Sequence, residues 1–217
     1  MRLGREPAVR AGLKLLDKVG LDGLTLRGIA AELGVQAPTL YWRFKNKQDL
    51  IDEMATQVLA DWATKTGAKA KPSSWQERAL TFGRGLRAAL LRHRDGARMV
   101  AGAYLTNTTL YGPMEKTLEI FAAEGIAPAD AMSCLNTVYC YVIGFAIEEQ
   151  ATLTAKGERD PRYELSAREA RLDPALFPLT RAVGRELFAD HEARLERGLR
   201  MIIAGFERAR SAPAGAR

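Results

Sequence analysis

Gly34 and Pro38 stand four positions apart, with room between them only for a tight turn. Ahead of Gly34, the residues Leu26, Ile29, Ala30 and Leu33 fall at the i, i+3, i+4, i+7 positions of one helical face, and Thr25 is of the type that caps a helix start. Behind it, Pro38 sits where a first helical turn tolerates proline, so a short helix opens there and reaches about Phe44. An earlier helix carries Val9, Leu13 and Leu16 on one face, stops at Gly20 and turns at Asp22-Gly23. Two helices joined by a tight glycine turn make a helix-turn-helix, which dictates a three-helix N-terminal unit.

Successive helical residues are about 100° apart. In the segment 37–44, Ala37, Leu40, Tyr41 and Phe44 then share one arc, and Pro38, Thr39, Trp42 and Arg43 share the other. The first arc suits packing on the two preceding helices, which leaves the second facing outward. A tryptophan and an arginine on the outer face of a short helix fit the major groove of DNA, which admits a helix and offers base edges and thymine methyl groups. The competing reading has Trp42 covering the joint with the next helix and Arg43 solvated. Charge leans toward the groove: residues 1–50 hold nine basic and five acidic side chains, a net +4, against +2 for the remainder.

The rest of the chain also reads as helix. Lys47 to about Gly67 carries Leu50, Met54, Val58 and Trp62 along one side before GAKAKPSS breaks it. Ser74 and Glu77 form a capping-box pattern that opens a helix to about His93, and Asp95-Gly96 starts a short one. Residues 106–123 read as a helix weakened by Gly112-Pro113. Pro128 opens a segment to Glu148 that is apolar nearly all round, the pattern of a helix buried on every face. Residues 154–178 read as a long surface loop with one helical turn, 179–188 and 190–210 as helices, and the last carries Leu195, Leu199, Ile202, Ile203 and Phe206 on one stripe. With 47% hydrophobic residues and no strand pattern, the expected fold class is all-α.

Several functions find no support in the residues. Cys134 and Cys140 lie on different faces of one helix, as two free, buried thiols of a reducing compartment would. The N-terminus lacks the apolar stretch of a signal peptide, and the longest uncharged run, Ala131 to Ile147, falls short of a membrane span, so a cytoplasmic location without a membrane partner is expected. There is no glycine-rich phosphate loop, no G-x-S-x-G and no histidine-containing metal motif. His93 with Asp95 reads as a solvated helix junction, and Glu148 and Glu149 point about 100° apart, too divergent to share a substrate. No catalytic residue, metal or cofactor is expected. Tyr104, Asn107, Thr117, Asn136, Tyr139 and Glu148 place isolated polar groups among apolar neighbours, the composition of a small-molecule pocket between helices or of a bundle interior whose polar groups bond to backbone carbonyls.

The run TLRGIAAELGVQAPTLYWRFKNKQDLID, residues 25–52, resembles the DNA-binding region of the TetR family of repressors, and LLRHRDGARMVAG (90–102) and GFAIEEQ (144–150) resemble its ligand-binding core. The resemblance implies a helix-turn-helix DNA-binding domain over 1–48 and a ligand-binding and dimerisation domain over 49–210, while the tail SAPAGAR, 211–217, reads from its own residues as disordered. It implies base or groove contacts from Pro38, Thr39, Trp42 and Arg43 and phosphate contacts from Thr25, Tyr41 and Lys47. Ala37 stands where the family's tetracycline-responsive members carry a base-reading glutamine, so the operator should differ. Those members also hold a magnesium chelate with a histidine, where this chain has Val100; Phe82 replaces an asparagine and Ala103 a threonine. A more apolar, aromatic or polycyclic inducer bound without metal is therefore expected, in a pocket of Phe82, Leu86, Val100, Ala103, Tyr104, Asn107, Thr117, Asn136, Tyr139 and Glu148. The implied partners are a palindromic double-stranded DNA operator, a small-molecule inducer and a second copy of the chain, paired through the central and last helices with Leu199 and Ile203 expected in the contact. The alternative is a helical DNA-binding or interaction protein controlled by a partner protein without an inducer.

Overall fold

The computed structural model describes residues 4–67, 74–188 and 190–211, and among them it holds helices and one isolated antiparallel bridge between Leu153 and Arg159. Helices α1 (Arg5–Gly23), α2 (Leu26–Glu32) and α3 (Ala37–Tyr41) form the head. The expected breaks are present: Gly20 interrupts α1 at φ 74°, the Thr25 hydroxyl accepts from the Gly28 amide at 3.0 Å to cap α2, and Gly34 turns the chain at φ 66°. Leu16, Ile29, Leu40 and Phe44 close the small core of the head, each fully buried. Burial of such side chains is worth roughly 1.5–3 kcal/mol apiece, enough to hold short helices that would not persist alone.

Helix α4 (Lys47–Gly67) packs first on α1 and then on α5 (Trp75–Leu90), α6 (Gly96–Val100) and α7 (Tyr111–Ala123). One continuous helix thus belongs to both halves, and the expected division at residue 48 falls inside its first turn. The Ser74 hydroxyl accepts from the Glu77 amide at 3.2 Å, which starts α5 as the capping pattern requires. Helix α8 (Pro128–Ala151) is the centre of the second half, packed by α5, α6, α7 and α12 (His191–Ser211). Trp75 joins three of these elements, its ring 5.7 Å from Phe121 and 5.3 Å from Phe206. Arg87 and Glu149 form a two-pronged ion pair between α5 and α8, at 2.7 and 2.5 Å.

The structure departs from the sequence reading in places. Helix α7 begins at Tyr111, not Thr106, because the Asn107 side chain accepts from the Thr109 amide and holds a turn there. The loop 154–178, expected to hold one helical turn, holds two short pieces, a 3-10 turn (Pro161–Tyr163) and helix α9 (Leu165–Glu169), and the helix expected over 179–188 is two pieces, α10 (Pro178–Ala182) and α11 (Gly184–Phe188). Helix α8 is not buried on every face: Ser133, Asn136, Thr137, Cys140, Gly144 and Glu148 form an exposed stripe. Cys140 is accordingly exposed and only Cys134 buried, where burial pushes its thiol up to about 11. At 24 residues α8 is also longer than the uncharged run within it, long and apolar enough by composition to cross a membrane, yet four helices pack against it. Of the expected disordered tail, residues 212–217 lie outside the described residues.

Candidate functional site

Trp42 is 88% exposed, so it does not cover the joint with α4. Leu40 and Phe44 face the core, Ala37 and Arg43 are half-buried, and Pro38 is exposed beside the half-buried Thr39. Tyr41 departs from the inward arc: it is 55% exposed, because it lies about 100° from Leu40 and only at the edge of that arc. It shares a surface with Trp42. Thr25 is exposed while its oxygen caps α2, which leaves its hydroxyl hydrogen free to donate. The Lys47 ammonium already donates to the Leu21 carbonyl at 2.9 Å, so it bridges the start of α4 to the end of α1.

A cavity of about 410 Å³ lies in the second half. Leu59, Trp62 and Ala63 of α4 form one wall, with the Trp62 and Phe82 rings edge to face at 5.2 Å. Helix α7 and its approach contribute Leu110, Tyr111, Pro113, Met114 and Thr117, and α8 contributes Met132 and Tyr139. Val100, Ala103 and Leu105 close the side nearest α6. Of the ten expected ligand residues, Phe82, Val100, Ala103, Thr117 and Tyr139 line this space.

The other five do not. Leu86 is fully buried in the helix packing. Tyr104 is 75% exposed and sits in a separate polar cleft beside α4, with its amide donating to Asp52. Asn107 is used in its own turn. Asn136 and Glu148 point off the exposed stripe of α8, away from the helices that enclose the cavity. Among the lining residues that sequence reasoning missed, the charged one is Arg78. It lies in the first turn of α5, where a charge reads as solvated, but it is one helical turn before Phe82 and so on the same face. Its guanidinium donates to the Thr117 hydroxyl from Nε at 3.1 Å and from Nη2 at 2.6 Å, and burial pulls its pKa below the ordinary value.

The cavity is joined to the head through α6. Asp95, directly ahead of α6, accepts from the Leu21 amide at 2.8 Å, and Arg98 pairs with Asp22 at 3.1 Å. Asp17 accepts from the Arg94 amide at 3.0 Å and stands 3.1 Å from His93. The close approach depends on two glycines. A side chain at Gly20 would meet the Asp95 carboxylate at 2.8 Å, and one at Gly96 would meet the Leu90 carbonyl at 2.1 Å. On the opposite side of α6, Gln150 accepts from the Ala97 amide at 3.0 Å and donates to the His93 carbonyl at 2.7 Å.

Residues 8–54 match the family description "Bacterial regulatory proteins, tetR family", and residues 68–210 match "Tetracyclin repressor-like, C-terminal domain". The chain is 36% identical over 213 residues to the tetracycline repressor protein class A from transposon 1721 of Escherichia coli, covering 96% of this chain and 93% of the relative. Among solved structures, a possible TetR family transcriptional regulator from Streptomyces coelicolor A3(2) superposes with a TM-score of 0.82 at 33% identity, covering 95% of this chain and all of that one. ActR of Streptomyces coelicolor, solved in complex with actinorhodin, superposes with a TM-score of 0.78 at 25% identity, covering 96% and 99% of the two chains. The helix-turn-helix head with its exposed Trp42, the all-helical second half and these matches over both parts establish that the chain belongs to the TetR family of transcriptional regulators.

Proposed function

We propose that this regulator is a cytoplasmic repressor without enzymatic activity, which binds a palindromic operator as a homodimer and leaves it when a small aromatic or polycyclic molecule fills the cavity. The observation that carries the ligand response is the position of α6. Val100 lines the cavity, and five residues earlier Asp95 holds the end of α1. A molecule that displaces Val100 therefore acts on a segment bonded to the head, and a small rotation of each head changes its register with the adjacent groove. Pro38, Thr39, Trp42 and Arg43 read the groove, while Thr25, Tyr41 and Lys47 hold phosphates. Ala37 at the mouth of α3 supplies no hydrogen-bonding side chain for base readout.

The donor set argues against a magnesium chelate as inducer. Magnesium takes oxygen ligands in an octahedral shell, whereas the cavity is lined by apolar side chains, hydroxyls and the cationic Arg78, with no carboxylate or imidazole among its described lining. Among the described residues no group of three or more His, Cys, Asp or Glu side chains is placed to hold a metal ion.

An operator selected from a random-sequence DNA pool, followed by a screen of aromatic compounds for release, tests this reading. The expected result is a palindromic site, binding that weakens with salt, and release by a subset of compounds that Val100→Phe alters without changing affinity in their absence. Operator binding that no compound reverses, but that a protein partner does, favours the alternative of a regulator without an inducer. Failure to select any sequence overturns the operator assignment.

A further inference from the structure

Arg78 is the one charged side chain among the described lining of the cavity, and no ion pair joins it to a carboxylate among the described residues. A guanidinium has five N–H donors. Two of Arg78's go to the Thr117 oxygen. That hydroxyl spends its own hydrogen on the Pro113 carbonyl at 2.9 Å, so it faces the guanidinium as an acceptor and fixes its plane. Both hydrogens of Nη1 and one of Nη2 are left without a protein acceptor among the described residues. Holding a cation at an apolar wall without a counter-ion is unfavourable, because desolvation is not offset by Coulomb attraction. The site is completed when a ligand brings the missing charge.

We infer that the inducer is an amphipathic anion, with an aromatic or polycyclic body against Trp62, Phe82 and Met114 and a carboxylate or ionised phenol hydrogen-bonded by Arg78. This rests on reading the cavity as the inducer site. Arginine suits the role because its planar fork matches a carboxylate in two parallel hydrogen bonds, which also orients the rings relative to Val100. Thr81, on the same helix and also in the lining, and Tyr139 across from it provide further hydroxyls for substituents of the rings.

Two fluorescent probes with one ring system separate charge from shape: anilinonaphthalene sulfonate, which is anionic, and phenylnaphthylamine, which lacks the sulfonate. Both are titrated into the full-length protein, into Arg78→Met and Arg78→Lys, and into Ala103→Trp, which fills the cavity. The unaltered protein should bind the anionic probe about tenfold more tightly than the neutral one, a preference of the size expected for a single charge-assisted pairing. Arg78→Met should abolish that preference while keeping the neutral probe, Arg78→Lys should retain part of it, and Ala103→Trp should weaken both probes. Equal affinities in the unaltered protein, which require no variant to fold, overturn the inference, as does a preference that survives in a folded Arg78→Met protein. If Ala103→Trp leaves both probes bound as before, the cavity is not the binding site and the reading beneath the inference fails instead.

Discussion

Trp42 leaves most of a large aromatic surface in water, and in a monomer nothing is gained by it. Its replacement by alanine should therefore lower operator affinity at least tenfold while leaving the thermal midpoint unchanged, a combination that titration of labelled operator and a melting curve together resolve. Arg43→Ala should relax base preference at one operator position, by about 1–3 kcal/mol. Lys47→Ala is different in kind. It should weaken binding to all sequences and lower the salt slope by about one unit, and it should also lower the melting temperature, because the Leu21 carbonyl loses the shorter of its two hydrogen bonds, keeping only that from the Leu24 amide, at a cost of roughly 1 kcal/mol. A Lys47→Ala protein with unchanged salt dependence would remove that residue from the phosphate contacts. The exposure of Pro38 and Trp42 was legible from 100° spacing alone because Leu40 and Phe44 anchor the opposite side so firmly, whereas Thr39 and Arg43 of the same arc are half-buried. That of Tyr41 was not, since a residue at the edge of an arc goes to whichever side the neighbouring helices leave open. Arg78 shows the converse limit: sequence places it beside Phe82, but only the fold of α7 over α5 brings Thr117 to its guanidinium.

At the scale of elements, α6 is five residues long with four of the five buried, so its position is set by what it touches. On one side Gln150 of α8 holds both its first turn and the chain before it. On the other, Asp95 and Arg98 grip the last turn of α1. The Asp95 backbone is left-handed at φ 55°, an uncommon conformation for a residue other than glycine, and the carboxylate bond to Leu21 helps to hold it there. Asp95→Ala should leave operator affinity without ligand within about threefold but blunt ligand-driven release, since displacement of α6 then pulls on α1 only through the Arg98–Asp22 pair and the Asp17 contacts. Val100→Phe should shift the ligand concentration needed for release, because it enters the cavity from the same element. If Asp95→Ala released DNA as readily as the parent at saturating ligand, the coupling would run instead through the Arg98–Asp22 pair and the Asp17 contacts, or through α4, which also lines the cavity and starts in the head. The short helix after Asp95-Gly96 was visible in sequence from its turn residues. Its bonds to α1 were not, because they join side chains about 75 positions apart through a break at Gly20 whose geometry no local pattern specifies.

For the whole molecule, the question is what covers α8 and α12. Periodicity identified both helices and their apolar character, but a helix apolar nearly all round gives no phase from which to read its bare side, and the expectation that Leu199 and Ile203 face a partner is corrected by the structure. Leu199 is fully buried against Gly83 of its own protomer and Ile203 is 6% exposed, so both belong to the protomer core. The bare positions are instead Cys140 and Gly144 on α8 and Met201 and Ala204 on α12, with Met201 67% exposed. Small side chains on α8 allow a facing backbone to approach closely, and the two helices with their copies would form a four-helix bundle on a two-fold axis. Such an axis would set the heads apart and would require operator half-sites about one helical turn, or a multiple of it, from each other. The two surfaces make opposite predictions. Met201→Glu combined with Cys140→Glu should give a folded monomer, with a helical circular dichroism spectrum like the parent's and a sedimentation coefficient of one protomer, that binds a single half-site weakly and no longer gains from the second. Leu199→Glu should instead lower the melting temperature sharply, since it places a charge in a core built around Gly83 and Val138. A parent protein that sediments as a monomer at micromolar concentration, or a doubly charged variant that remains a dimer, would show that these stripes face solvent and that the heads are paired by some other surface.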